Sequence, residues 1–194
     1  GRLWSLGRAY GELYQYENAI PLLEKALEIC SKWELKPPFV AFYVDLGIAY
    51  HKTGMYKKEK ELYKKAEQDF PDDTLLISRQ AILSLTEGDA TTANRYINKY
   101  KSLSTENSTS EANITTGLAS IYSEAGILDK AEVNYSEALS IEPRSPIRLN
   151  NLAYFLIDKD RNINKGMALV DTALKLNPDN YSYLHSKGWG LFKQ

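Results

Sequence analysis

Few side chains in this sequence are of a type that performs reactions, and their spacing does not bring them together. His51 and His185 are far apart, and the single cysteine, Cys30, has no histidine near it. A nucleophile needs a base within hydrogen-bond reach, and a zinc site needs several Cys or His ligands at short spacings; neither pattern is present. The stretch "DKDRNINKG" at 158–166 alternates Asp158, Asp160 and Asn162 like the start of a calcium loop. It then puts Ile163 where the sharp turn requires glycine and Leu169 where a bidentate glutamate closes the coordination sphere, so it reads as a turn between helices. There is no phosphate-cradling glycine loop and no His-Glu-x-x-His pair. The expectation is a chain without catalytic, cofactor-binding or metal-binding residues, whose chemistry is recognition.

The bulk properties agree. Of 194 residues, 43% are hydrophobic and 25% charged, a balance that folds. Lys plus Arg (24) against Asp plus Glu (25) leaves a net charge of −1, so no overall field favours nucleic acid or an anionic membrane. The most basic spot, Lys57, Lys58, Lys64 and Lys65, falls on the helix face opposite Leu62, Tyr63 and Ala66. Glu61 lies four residues from both Lys57 and Lys65, as on a solvated outer face. No window approaches the roughly 20 apolar residues of a membrane span. The start "GRLWSLGRAY" lacks the charged-then-apolar layout of a signal peptide. The chain reads as an excerpt from which an export signal has been trimmed or never existed, so bacterial cytoplasm and periplasm both stay open for a soluble protein.

What must position the recognition residues is a repeat. A first cluster recurs as Leu6-Gly7-x-x-Tyr10, Leu46-Gly47-x-x-Tyr50, Leu118-Ala119-x-x-Tyr122 and Leu152-Ala153-x-x-Leu156. A second follows it: Ala19, Leu23, Ala26; Glu59, Tyr63, Ala66; Ala93, Ile97, Tyr100; Ala131, Tyr135, Ala138; Gly166, Val170, Ala173. The last members, at 26, 66, 100, 138 and 173, are 40, 34, 38 and 35 residues apart. Apolar spacings of three and four make each repeat two helices, with turns at "GMY", "EGDA" and "AGILD". Gly or Ala is needed where helices cross closely, and Leu and Tyr fill the adjoining gaps. Pro71, Pro143 and Pro178 end second helices, Ser145-Pro146 marks a start, and Asp89 caps "ATTANRYINKY".

These residues resemble the tetratricopeptide repeat (TPR) family, and "NNLAYFLIDKDRNINKGMALVDTALKLNPDN" followed by "GWGLF" looks like its bacterial members. The resemblance implies an all-α fold, a right-handed α-α superhelix (TPR solenoid) of about five helix-turn-helix repeats plus a terminal helix. Residues 1–194 would form a single domain, with repeats near 1–33, 40–73, 74–107, 112–145 and 146–180 and a partial sixth at 181–194. In that sixth repeat, "SKGWG" around Gly188 is taken as the Leu-Gly equivalent. Three departures stand out: Glu59 where the family has a small residue, Tyr100 in place of Ala, and Ser84 in place of Tyr. Overpacking a close crossing costs roughly 1–3 kcal/mol unless the helices shift.

In the family, first helices line a concave wall that receives a partner's peptide or helix. The resemblance therefore implies a non-catalytic interaction scaffold; the alternative is a structural or regulatory arm used for spacing, docking or oligomerisation. Transferred residue by residue, the candidate peptide-binding wall is Arg8, Ile48, His51, Asn113, Thr116, Ser120, Asn150, Asn151, Tyr154, His185 and Trp189. Its early part offers aliphatic contacts and its later part amides, hydroxyls and an aromatic. Some members grip a C-terminal carboxylate with a Lys/Asn/Arg clamp; the matching positions carry Trp4, Arg8, Asp45, Leu75 and Arg79, and Asp45 would repel the anion, so no such clamp is expected. The implied partner is a protein or peptide, with no nucleic acid and no membrane span. Trp189 and Phe192 leave an apolar end on the last helix, through which self-association is open.

Overall fold

The computed structural model describes residues 1–194, and it is entirely helical. The helices are α1 (Arg2–Glu12), α2 (Tyr16–Lys32), α3 (Ala41–Lys52), α4 (Tyr56–Asp69), α5 (Thr74–Thr86), α6 (Ala90–Glu106), α7 (Glu111–Glu124), α8 (Leu128–Ile141), α9 (Pro146–Asp158), α10 (Ile163–Leu176) and α11 (Tyr181–Lys193). They form five helix-turn-helix pairs and a terminal helix, as the repeat spacing requires. The chain packs into two compact units, residues 1–103 and 104–194.

Local chemistry accounts for the helix ends. Gly54, Gly88 and Gly126 take φ of +73°, +77° and +77° in the turns after α3, α5 and α7, a left-handed region that glycine enters without a steric penalty. The helices α4, α8 and α10 stop two residues before Pro71, Pro143 and Pro178, because the residue preceding proline is pushed out of the helical region. Asp89 Oδ1 accepts the Thr92 N–H at 3.0 Å, the expected cap of α6. Ser145 occupies the N-cap position of α9, but its side chain makes no capping bond. That start rests instead on Pro146, whose fixed φ is already helical.

In the N-terminal unit, Ala19, Leu23, Leu46, Tyr63, Ala66 and Leu76 share one core. In the C-terminal unit, Leu149, Ala153, Val170, Ala173 and Tyr183 form one cluster, and Ala131, Leu152, Phe155 and Leu156 form another. The alanines at close crossings, Ala19, Ala66, Ala93, Ala131 and Ala173, have no exposed surface at all. Gly166 fills the same role on α10: a methyl there would lie 2.6 Å from Ile157 Cγ1 and 2.9 Å from the Ala153 carbonyl oxygen.

The sixth repeat is represented by its first helix alone: Gly7 and Gly47 pack on Leu23 and Tyr63 of the second helix of their own repeats, and no such helix stands against the Gly188 position of α11. Gly188 faces open space, whereas Gly190 is buried against Met167 and Ile157, and Ser186 is buried beside it. This sets a sharp contrast. Gly166→Ala should destabilise the C-terminal unit by about 1–2 kcal/mol, the overpacking cost less the gain in helix propensity. Gly188→Ala should stabilise it by about 0.5–1 kcal/mol. Urea denaturation of the two variants measures both signs; equal shifts would contradict the close crossing.

Glu59, the departure placed at such a crossing, is accommodated by pairing. Its side chain is 1% exposed, and Oε2 lies 2.9 Å from His51 Nδ1.

Candidate peptide-binding surface

In the N-terminal unit, α1 and α3 bring Arg8 and Ile48 into one cleft of about 240 Å³ that Asp45 also lines. Trp4 stacks on Phe42 with ring centroids 4.9 Å apart and donates its indole N–H to Asp45 Oδ2 at 2.8 Å. Arg8 lies over the Trp4 ring and pairs with Glu12 at 3.0 Å. Burial pushes the Asp45 carboxyl up from its ordinary range, and the Trp4 hydrogen bond and the Arg8 charge only partly oppose it. A half-buried acid tied to Trp4 is the reverse of an anion clamp. His51 stands apart from this cleft: it is held by Glu59 and packs at 5.3 Å on the Tyr56 ring, so a ligand would have to break a buried pair to use it.

In the C-terminal unit, Asn113, Thr116 and Ser120 lie on α7 at spacings of three and four, one stripe of a helix. All three have partners within the protein. Arg148 of α9, 7% exposed, donates from Nη2 to Asn113 Oδ1 (2.6 Å), from Nη1 to Thr116 Oγ1 (3.2 Å) and from Nε to Glu142 Oε2 (3.0 Å). Ser120 Oγ and the Tyr135 hydroxyl are 3.1 Å apart. On α9, Asn150 is buried, below the surface that a peptide would meet, and Asn151 is half-buried. Tyr154 is 39% exposed and meets the His185 ring of α11 at 6.1 Å. Trp189 is half-buried and stacked on Phe192 at 5.3 Å, with the Lys193 ammonium over its ring.

Sequence reasoning passed over Arg148, although a signal existed. Four residues before the first member of the Leu-Gly pair, repeats two to four carry Phe42, Leu76 and Ile114, so a guanidinium in that column needs polar partners across the crossing. It also passed over Tyr181 and Leu184 of α11, which are exposed.

Two lysines of the basic stretch and the acids of the calcium-like turn have partners within the protein. Lys64 bridges Glu61 at 3.0 Å, and Lys58 reaches Glu24 at 3.1 Å. The pairing with Glu61 is thus one turn at spacing three, where spacing four was expected. In the calcium-like turn, Asn162 caps α10 through the Lys165 N–H and Asp160 bridges Lys193 at 2.9 Å. No helix is long and apolar enough to cross a membrane.

Comparison with known proteins gives the family of the first two helix pairs and the fold of the whole chain. The tetratricopeptide-repeat family model matches residues 2–32 and 40–68, the first two helix pairs. Human protein O-mannosyl-transferase TMTC1 is 27% identical over 178 residues, which is 90% of this chain and 19% of that protein, so the chain spans about a fifth of this relative's length. Among solved structures, TTC0263, a thermophilic TPR protein from Thermus thermophilus, superposes with a TM-score of 0.58 at 20% identity over 98% of both chains. The APC/C hetero-tetramer Cut9-Hcn1 superposes with a TM-score of 0.54 at 14% identity, over 97% of this chain and 36% of that one. These likenesses carry the fold, and the paired helices with alanine or glycine at their close crossings carry it independently: residues 2–32 and 40–68 are tetratricopeptide repeats, and the chain as a whole has the all-helical fold of tetratricopeptide-repeat proteins.

Proposed function

We propose that the chain is a non-catalytic scaffold that holds an extended or helical segment of a partner protein against its first helices, with α9 as the central contact. One observation supports this most directly. From Arg148 to Phe155 every residue except Asn151 and Tyr154 is buried, yet Ile147 (56% exposed) and Tyr154 (39%) keep large apolar surfaces outward, two turns apart, with the Asn151 amide between them. An apolar contact, an amide and an aromatic along one stripe suit a peptide's side chains and backbone together. Candidate residues Asn113, Thr116, Ser120, Asn151, Tyr154 and His185 belong to this surface, Arg8 and Ile48 to the separate N-terminal cleft. The docking-arm reading is favoured by the exposed Leu191 and Phe192 of α11.

The test is selection of binding peptides from a random library, followed by titration calorimetry. Tyr154→Ala and Ile147→Asp should each weaken the selected peptide at least tenfold, the loss expected of central interface anchors. Val133→Asp, on the exposed side of α8, should leave affinity unchanged. Full affinity in both α9 variants, or a loss confined to Val133→Asp, would remove α9 from the binding surface.

A further inference from the structure

We propose that the hollow between α4, α5 and α6 is a binding site for a single phenol ring, a site separate from the α9 stripe and independent of it. The hollow is where a tyrosine is missing. Tyr50 of α3 and Tyr122 of α7 are the aromatic members of the Leu-Gly-x-x-Tyr clusters, and each lies under a lysine ammonium: Lys58 at 5.4 Å from the Tyr50 ring and Lys130 at 5.3 Å from the Tyr122 ring. Tyr50 is buried and donates its hydroxyl to Glu24. The equivalent position on α5 is Ser84, whose short side chain turns back to the Gln80 carbonyl at 2.8 Å. The ring's place is left as a cavity of about 190 Å³, open to solvent and lined by Lys60, Tyr63, Gln80, Ser84, Arg95 and Tyr96 among others. A dry cavity of about 150 Å³ in another protein admits benzene, so one ring fits.

A second departure on the same helix says what the ring must carry. The leucine of the Leu-Gly pair, Leu46, Leu118 or Leu152 elsewhere, is Gln80 here, and it is only 5% exposed. Its Nε2 donates to Glu67 Oε2 at 3.1 Å and to the Tyr96 hydroxyl at 3.0 Å, while its Oε1 is buried with no hydrogen-bond partner. The Glu67 carboxylate fixes which end of the amide carries the N–H groups toward it, so the atom left over is an acceptor. A buried acceptor is costly until a donor reaches it. At the edge of the hollow, Lys60 is already committed to Glu87 at 2.9 Å, and the Arg95 guanidinium lies over the Tyr96 ring at 4.4 Å. Ring volume plus one hydroxyl donor is a phenol, supplied either by a tyrosine side chain of a peptide or by a free one-ring phenol.

The experiment is a titration of the whole chain with 4-methylphenol, with toluene and with N-acetyltyrosine amide, followed by amide NMR shifts. Saturable shifts at Gln80, Ser84 and Tyr96 are expected with 4-methylphenol, and at least fivefold weaker binding with toluene. If N-acetyltyrosine amide binds as well, the site takes a tyrosine side chain; if only 4-methylphenol binds, it takes a free phenol. Ser84→Tyr should fill the hollow, raise the melting temperature and abolish the shifts. Gln80→Leu should keep the hollow but bind toluene and 4-methylphenol equally. The absence of saturable shifts, equal affinity for toluene in the unmodified chain, or retained binding in Ser84→Tyr would each overturn the proposal.

Discussion

Replacing His51 with alanine is expected to lower the stability of the N-terminal unit by about 3–4 kcal/mol at pH 7. The cause lies in the residue left behind. Glu59 is almost fully buried and its two oxygens lie 3.2 and 2.9 Å from His51 Nδ1, so removing the imidazole strands a carboxylate at a helix crossing. Breaking a buried pair from one side costs about 3–5 kcal/mol. Protonation sets a ceiling on that loss, because a stranded carboxylate can escape by taking a proton. At pH 7, against an ordinary glutamate value near 4.3, that escape costs roughly 3.7 kcal/mol. Urea denaturation followed by tryptophan fluorescence reads this unit, since Trp4 and Trp33 both lie in it. A loss below about 1 kcal/mol would mean that water reaches Glu59 once the ring is gone.

The pH dependence of that loss has a definite sign. Burial pushes the Glu59 carboxyl above its ordinary range; the His51 hydrogen bond and charge, the Tyr63 hydroxyl and the Arg79 charge pull it back only in part. An acid whose folded value is raised contributes stability that is fully present below its unfolded value and is lost as pH rises through the folded one. His51→Ala removes two of the opposing influences, so its deficit should be small near pH 4, where Glu59 is protonated with or without a partner. The deficit should then grow as pH rises through and beyond the carboxylate range. Adding Glu59→Ala should recover most of it, because the double variant restores the small residue that Ala19, Ala93, Ala131 and Gly166 supply in the other repeats.

The contrast between these crossings shows what the sequence can disclose. The Ala and Gly columns, the turn glycines and the terminating prolines are local or periodic demands, so spacing alone reveals them, and Gly54, Gly88 and Gly126 each take the conformation their turns require. Partner choice is different. Nothing in the spacing of His51 and Glu59, eight residues apart across a turn, says that one neutralises the other; the crossing of α3 and α4 does that. In "SKGWG", spacing does not say which of the two glycines is enclosed, and only the proximity of Ile157 and Met167 shows that it is Gly190. The binding surface divides the same way. Ile147 and Tyr154 stay outward as a seven-residue spacing allows, whereas Asn150, one turn from Tyr154, is drawn under the surface.

Arg148 carries the second large effect. Arg148→Ala should destabilise the C-terminal unit by about 3 kcal/mol, combining the loss of charge-assisted hydrogen bonds, about 1.5–3 kcal/mol, with lost packing of its aliphatic stem. The effect stays below that of stranding Glu59, because the Glu142 side chain left behind is 39% exposed and can be hydrated. Arg148→Met separates the two contributions. Methionine restores apolar bulk in a column that holds Phe42, Leu76 and Ile114 in repeats two to four, so it should recover the packing share while Asn113 and Thr116 lose their common donor. Trp189 is the tryptophan of this unit and reports its unfolding in urea. If Arg148→Met were as stable as the unmodified chain, the guanidinium would contribute nothing to folding, and its three hydrogen bonds would serve only to orient Asn113 and Thr116 toward whatever α7 and α9 receive.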